Sequence, residues 1–307
     1  MADIVIIGGI NIDIEGYPYK DLVEQDSNPG RIKISYGGVG RNIAENAARI
    51  GEKVAMLSVI GADELGRGAR SHLAELGVDV SMVREIPGRG SAIYLSILNP
   101  NRDMHLGLCD MEIIQELTAE DIRKAGTVFE DAAAVALDGN LEEAMLRDAT
   151  EILSDKMLFY DPVSANKAHR AKECIGRFHS IKPNLIEAEV LSGMKIETEE
   201  ELRDAARYFL DKGVKNVYIT LNREGVYFKN KEKEGFIRPP KSIKIESATG
   251  AGDAFSATIL YGMAHGLEID EIAALGMAAS QIAMESEKAV NEKINIEDIK
   301  RRVTQNV

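Results

Sequence analysis

The stretch that most constrains this chain is Ser247-Ala248-Thr249-Gly250-Ala251-Gly252-Asp253-Ala254-Phe255-Ser256, a glycine-rich turn running straight into an apolar helical segment. That segment carries Phe255, Ile259, Leu260 and Met263 and closes at Gly266. A glycine turn feeding a helix N-terminus aims several backbone N–H groups at one spot, and the helix dipole adds roughly half a positive charge there. A phosphate suits such a spot. Side chains at Gly250 or Gly252 would hold the anion away from the main chain, so the residues must be small. Asp253 is out of place electrostatically, because a carboxylate repels a phosphate. It is either a helix cap or a base that takes the proton of an attacking hydroxyl. The run Thr-Gly-Ala-Gly-Asp should arise by chance in a chain of this size only roughly once in ten thousand.

The rest of the chain alternates strand and helix patterns. Asp3 to Gly9 (DIVIIGG) is a continuous apolar run ending in glycines, as a buried parallel strand would be. Gly37-Gly38 leads into a helix with Ile43, Ala44, Ala47 and Ile50 on one face, and Lys53 to Ile60 is a further strand, followed by a helix ending near Gly77. Strands are expected at Ala132–Leu137, Lys156–Tyr160, Phe178–Ile181 and Lys215–Leu221, with helices between them, one opening on a Thr198/Glu201 capping box. Gly225 to Phe236 reads as two strands, and helices from Asp253 and Asp270 and a short terminal one close the chain. Two regions break the alternation. Arg31 to Tyr36 (RIKISY) has the pattern of a half-exposed strand, and Gly90 to Cys109 reads as a hairpin turning at Asn99-Pro100-Asn101-Arg102. The expectation is a mostly parallel central sheet covered by helices on both faces, in one α/β domain over 1–307, with a small antiparallel lid from about 14–36 and 88–110.

Composition excludes several functions. A net charge of -13 leaves no basic surface for nucleic acid or an anionic membrane, so neither is an expected partner. No apolar run approaches the ~18 residues of a membrane span, and no signal peptide is visible. Cys109 and Cys174 show no metal-ligand spacing, which points to a reducing, cytoplasmic setting.

In open α/β sheets, ligands lie beyond the carboxyl ends of the strands. Asn11 and Asp13, Asp138-Gly139-Asn140, Asp161-Pro162-Val163-Ser164 and Lys182-Pro183-Asn184 all fall at such ends. Each alone could be turn chemistry; four on one sheet edge suggest a site. Asn11 and Asp13, two apart on extended chain, face the same way and suit the vicinal hydroxyls of a ribose. Asn184 and Glu187 share a helix face and could orient a hydrated Mg²⁺, although a surface helix start would carry the same pair. Lys167 is a candidate for neutralising phosphate charge, or a solvated helix-start lysine. The five histidines form no triad or metal pattern.

The Thr249-Gly250-Ala251-Gly252-Asp253 run resembles the signature of the ribokinase-type (PfkB) sugar and nucleoside kinases, and the element order is similar to theirs along essentially the full length. The resemblance implies a ribokinase-like fold and an ATP-dependent kinase, with Gly250, Ala251 and Gly252 as the anion hole and Asp253 as the catalytic base. It implies substrate contacts at Asn11, Asp13, Gly38, Asn42, Asp138 and Lys167, with Gly37-Gly38 as a lid hinge. It also implies ATP contacts at Asn184, Thr220, Asn222 and Gly225, and Mg²⁺ held through water by Asn184 and Glu187. Two residues depart from the pattern. Asn222 stands where the family usually has Gly, and Ser247-Ala248 replace the Asp and Thr linked to a monovalent cation, which leaves that cation uncertain. Ser27-Asn28-Pro29-Gly30 together with Gly37-Gly38-Val39-Gly40-Arg41-Asn42-Ile43-Ala44-Glu45-Asn46 is most similar to the pseudouridine kinases of the family. The implied reaction is 5′-phosphorylation of pseudouridine. The alternatives are another acceptor (ribose, adenosine, inosine or cytidine) or a non-catalytic nucleotide-binding regulator. The missing G-x-G-x-x-G fingerprint disfavours a dinucleotide oxidoreductase. The uncovered strand edges of a lid make a homodimer through it a candidate assembly.

Overall fold

The computed structural model describes residues 2–239 and 245–305. In chain order the strands are β1 (Ile4–Ile7), β2 (Asn11–Pro18), β3 (Gly30–Gly37), β4 (Val54–Gly61), β5 (Val83–Ile86), β6 (Ala92–Leu98) and β7 (Met104–Asp110). They continue as β8 (Ala134–Asp138), β9 (Leu158–Asp161), β10 (Ser180–Ile181), β11 (Asn216–Thr220), β12 (Val226–Lys229) and β13 (Glu234–Ile237). Among the described residues they form two sheets, ordered β13-β12-β11-β10-β9-β8-β1-β4-β5 and β3-β2-β6-β7. The large sheet is parallel except where β12 pairs antiparallel with β11 and β13.

The apolar run of β1 has no polar alternation because both its faces are covered. Val5 and Ile7 join one core with Leu57, Val135, Leu146 and Phe209, whereas Ile4 and Ile6 join a second with Ile43, Ala47, Ile259 and Leu260. The helices Glu143–Ile152 and Glu199–Lys212 supply the first core, and Val39–Arg49 and Ala251–His265 the second. The layering expected from the strand and helix pattern, a mostly parallel sheet covered on both faces, is therefore present. From β1 the chain builds the sheet outward through β4 and β5, then returns to the other side of β1 at β8. Loops leaving β1 and β8 part in opposite directions, which opens a crevice at their carboxyl ends.

Two strands were not legible. β2 begins at Asn11, so the extended chain expected at Asn11 and Asp13 is itself a strand of the small sheet, which reaches beyond the expected 14–36 at both ends, from Asn11 to Gly37. Asn, Asp, Gly and Pro are all poor strand formers, and their density in β2 hid the period-two pair Ile12 and Ile14. β5 is four residues long and is held by parallel pairing with β4, a long-range contact with little local signal.

The small sheet has an unusual polarity. Its register sets Ser35, Asp13 and Tyr94 in one row and Lys33, Glu15 and Ser96 in the next. All six line a cleft of ≈ 810 Å³ whose other wall includes Ser247, Thr249, Glu287 and Ala289. The alternate rows are Ile34–Ile14–Leu95–Leu108 and Ile32–Gly16–Ile97–Leu106. Ile32, Ile34, Leu106 and Leu108 are 70%, 56%, 50% and 59% exposed. The half-exposed pattern of Arg31 to Tyr36 is thus real but inverted, with its isoleucines outward and its polar residues over the cleft.

Candidate functional site

The site assembles where the β1–β8 crevice meets the start of the Ala251–His265 helix. Gly250 is the N-cap at φ 80, and a Cβ there would lie 1.6 Å from the Ala289 carbonyl oxygen. Both facts require glycine. Among the described residues no side chain caps this helix. The Ala251 N–H makes a long 3.4 Å bond to the Ala248 carbonyl oxygen, and no side chain claims the other amides of the first turn. Lys182 Nζ would be 3.5 Å from a Cβ on Gly252, which puts a buried ammonium beside the turn.

Asp253 sits in the first turn, 9% exposed, and its Oδ2 accepts a 2.7 Å hydrogen bond from Asn42 Nδ2. Burial, then the nearby Asp161 charge, push its pKa up to about 7, against the opposing pull of the Asn42 donor. Asp161 closes β9; its Oδ2 accepts from Ser256 Oγ at 2.7 Å and pairs with Lys182 Nζ at 3.2 Å. Burial by itself would lower the pKa of Lys182, but Asp161, Glu187 and Asp253 outweigh it and hold the ammonium charged. Asp253 and Ser256, three apart, share the helix face turned to the ends of β8 and β9.

Asn184 and Glu187 form a capping box. Asn184 Oδ1 accepts from the Glu187 N–H at 2.9 Å, and Glu187 Oε2 accepts from the Asn184 N–H at 2.8 Å. Glu187 is only 4% exposed, and burial followed by Asp161 raises its pKa to about 7. Three carboxylates (Asp161, Asp253 and Glu187) thus share one lysine. That excess of negative charge fits a site completed by a cation. Among the described residues no three His, Cys, Asp or Glu side chains could cage a metal ion. A hydrated Mg²⁺ is the form that fits, since it keeps several waters. The Thr220 N–H donates to Pro183 O at 3.0 Å, which joins the end of β11 to this corner. Asn222 adopts φ 52, so the left-handed turn survives without glycine, and Gly225 is pressed against Ile237, whose carbonyl oxygen would lie 2.0 Å from a Cβ.

On the other side of the crevice, Asn11 Nδ2 donates to Asp13 Oδ1 at 2.6 Å. Burial raises the Asp13 pKa, with the Asn11 amide opposing. A Cβ on Gly37 would lie 2.2 Å from Asp13 Oδ2, and one on Gly38 (φ 100) would lie 2.4 Å from Gly9 O. Both glycines are therefore fixed by close approach. Asp13 lines the same cleft as Ser247, Thr249 and Ala289, so the glycine turn and the Asn11–Asp13 corner share one opening. Asp138 is different. It is 1% exposed, and its oxygens accept from the N–H groups of Gly9 (2.9 Å), Gly40 (2.8 Å) and Asn140 (2.8 Å). It ties the loops of β1 and β8 to the helix Val39–Arg49. Lys167 Nζ donates to Asn140 Oδ1 at 2.6 Å, which places it on the same crevice.

Sequence reasoning gave no role to Lys182 or Asp161, although each opened one of the strand-end clusters. A lone lysine closing an apolar strand ahead of Pro183 was the available signal. Val163, in the Asp161 loop, adopts φ 69, an uncommon strain for a β-branched residue. The Pro162 carbonyl beside it would lie 2.1 Å from a Cβ on Gly139, which packs this loop onto that of Asp138.

A family model described as pfkB family carbohydrate kinase matches residues 1–295. The pseudouridine kinase of Escherichia coli K12 is 32% identical over 296 residues, which cover 96% of this chain and 95% of that protein. A solved Clostridium perfringens protein, provisionally assigned as a sugar kinase, is 32% identical with a TM-score of 0.88, covering 99% of this chain and 96% of its own. An Escherichia coli protein solved with ATP and Mg²⁺, provisionally a ribokinase II, has a TM-score of 0.84 over 99% of this chain and 100% of its own. At 17% identity that likeness shows the fold alone.

Proposed function

We propose, from the premise that this chain belongs to the pfkB family of carbohydrate kinases and is an ATP-dependent sugar or nucleoside kinase, that its acceptor is pseudouridine and its product pseudouridine 5′-phosphate. The carrying observation is the 2.7 Å bond from Asn42 to Asp253, at a helix start with no side-chain cap, beside a cleft lined by Asp13. In this reading the amides of Gly250, Ala251 and Gly252 receive the transferring phosphate, and Lys182 offsets its charge. Asp13, with Asn11, Gly38 and Asn42, holds the ribose, while Asp138 keeps the loops of the crevice in place and Lys167 adds charge beside them. Asn184, Thr220, Asn222 and Gly225 line the path of ATP. Mg²⁺, held through water by Asn184 and Glu187, would supply charge neutralisation on the phosphates.

Asp253 takes the proton of the 5′-hydroxyl as that oxygen bonds to the γ-phosphorus. The bond from the γ-phosphorus to the ADP oxygen breaks, and the proton leaves later to solvent. A base with a pKa near 7 is well matched to this task. The small sheet acts as a lid whose closure excludes water. Identity to a pseudouridine kinase supports the choice of acceptor. So does the cleft row of Lys33, Glu15 and Ser96 beside Asp13. Pseudouridine is a C-glycoside with a ring N–H where uridine has C–H, and a buried acceptor for that N–H would discriminate strongly. An acceptor panel of pseudouridine, uridine, inosine, cytidine, adenosine and ribose with ATP tests this. The highest kcat/KM should belong to pseudouridine; equal turnover of ribose would sink it.

We extend the reading to a homodimer formed lid to lid in the cytoplasm. The exposed isoleucines and leucines of the outer lid face form a contiguous apolar patch of the kind that marks an interface. Sedimentation at working concentration should show a dimer, and Ile34→Glu should yield monomers.

A further inference from the structure

We propose that Arg41 is a positioning residue for phosphoryl transfer, orienting the Asn42 amide so that its NH₂ group faces Asp253; this rests on the reading of Asp253 as the base. Arg41 is 4% exposed on the helix Val39–Arg49. Its Nη1 donates to Asn42 Oδ1 at 2.8 Å and to Tyr36 O at 3.1 Å, and its Nη2 pairs with Glu45. Glu45, itself 2% exposed, is held from its other oxygen by Arg49 Nε at 2.8 Å. The guanidinium is thereby clamped from several sides.

An asparagine amide is nearly symmetric in shape, so packing alone does not choose which end faces Asp253. Arginine carries donors only. Where Arg41 meets the amide it must meet oxygen, and the NH₂ is then left for the carboxylate at 2.7 Å. With the amide reversed, an oxygen would face Asp253 and favour its protonated form, which cannot act as a base. The bond to Tyr36 O ties the same guanidinium to the last residue before Gly37-Gly38, so one side chain serves both the lid joint and the base.

The groups facing Asp253 are Asn42 from the helix Val39–Arg49, Asp138 and Asp161 from the ends of β8 and β9, and Lys182 beyond β10. His72 Nδ1 lies 3.2 Å from Arg41 Nη2, and burial lowers its pKa. The test uses the full-length enzyme with ATP and pseudouridine, and the ¹⁵N-labelled protein alone. Arg41→Met leaves Glu45 buried with one partner fewer, so Arg41→Met/Glu45→Gln is made beside it to keep a folded variant. The expected result is a fall in kcat/KM of about tenfold at pH 6 and much less at pH 9, because one unit of pKa shift is tenfold in the protonation equilibrium. Arg41→Lys, which keeps a cationic donor but not the planar fork, should fall between, and His72→Gln should leave the pH dependence in place. The Asn42 side-chain amide signals should titrate with a midpoint near 7 in the parent and higher in the double variant. An equal loss at every pH with those signals unmoved would overturn the proposal. If Asp253→Asn keeps its turnover, the base reading falls, whereas the Asn42 signals still decide whether Arg41 orients the amide.

Discussion

Two capping boxes, Asn184/Glu187 and Thr198/Glu201, open the consecutive helices Leu185–Ser192 and Glu199–Lys212 with the same reciprocal bonds. The N-cap side chain accepts from the third residue's N–H at 2.9 Å in one and 3.2 Å in the other. In both, the glutamate returns to the N-cap N–H at 2.8 Å. Their electrostatics are opposite. Glu201 stands at the surface, where the N–H of Glu197 and the Thr198 hydroxyl and N–H lower its pKa. Glu187 is buried near Asp161 and is raised to about 7. One box holds a helix end; the other holds a helix end and leaves a charge-sensitive carboxylate inside a cleft. The local motif is identical, and the neighbours decide what it does.

The largest expected effect lies on the carboxylate that shares the Asp161 field with Glu187. Asp253→Asn should lower kcat by on the order of 10² or more while ATP binding, read by thermal shift, stays close to that of the parent. Unchanged turnover would remove the base from this region. Next, Glu187→Gln should raise the Mg²⁺ concentration for half-maximal rate by about 10–100-fold, the usual range for residues that orient a metal's ligands. Glu201→Gln should leave it unmoved. Equal Mg²⁺ curves for the two variants would break the contrast.

A smaller effect concerns stability and pH. Glu187 and Asp253 have folded pKa values raised to about 7 from 4.5 and 3.8, so between those ordinary values and 7 the folded protein keeps protons that the unfolded chain has released. Their contribution is present in full below that window and lost as pH rises through 7. Glu201 has a lowered pKa, and its contribution is present at neutral pH and lost as pH falls through its folded value. Melting temperature against pH should therefore fall less steeply toward pH 8 in Glu187→Gln, whereas Glu201→Gln should change only the acid side. The smallest effect is Thr198→Ala, which should cost about 1 kcal/mol in urea unfolding with kcat unchanged. Asn184→Ala should cost a similar amount and slow the enzyme as well.

Much of the fold was legible because its signals are local. The apolar run of β1, the glycine stops at Gly77 and Gly266, and the Thr198 box each report on their own segment. β2 was missed because the residues that give it a polar cleft face are the ones that weaken strand propensity. β5 depends on a partner 25 residues away, Ser58 opposite Val83. At the site, the glycine turn and Asp253 announced themselves by type and spacing, and so did the Asn11–Asp13 and Asn184–Glu187 pairs. Lys182, Asp161 and Arg41 did not. Each looks ordinary alone, and each becomes informative only through what the fold sets beside it.

Read along the chain alone, the residues fixed which runs are buried, where the longest helices open, and where small residues leave main chain bare, at Gly250–Gly252. Those properties belong to short stretches, whose backbone geometry and apolar periodicity need no distant partner. It took the folded arrangement to bring Asp161 against both Asp253 and Glu187, to give Asp138 three amides, and to turn the isoleucines of β3 outward. These are properties of distance between remote residues, and burial with an unshared charge has no signature in the order of the chain.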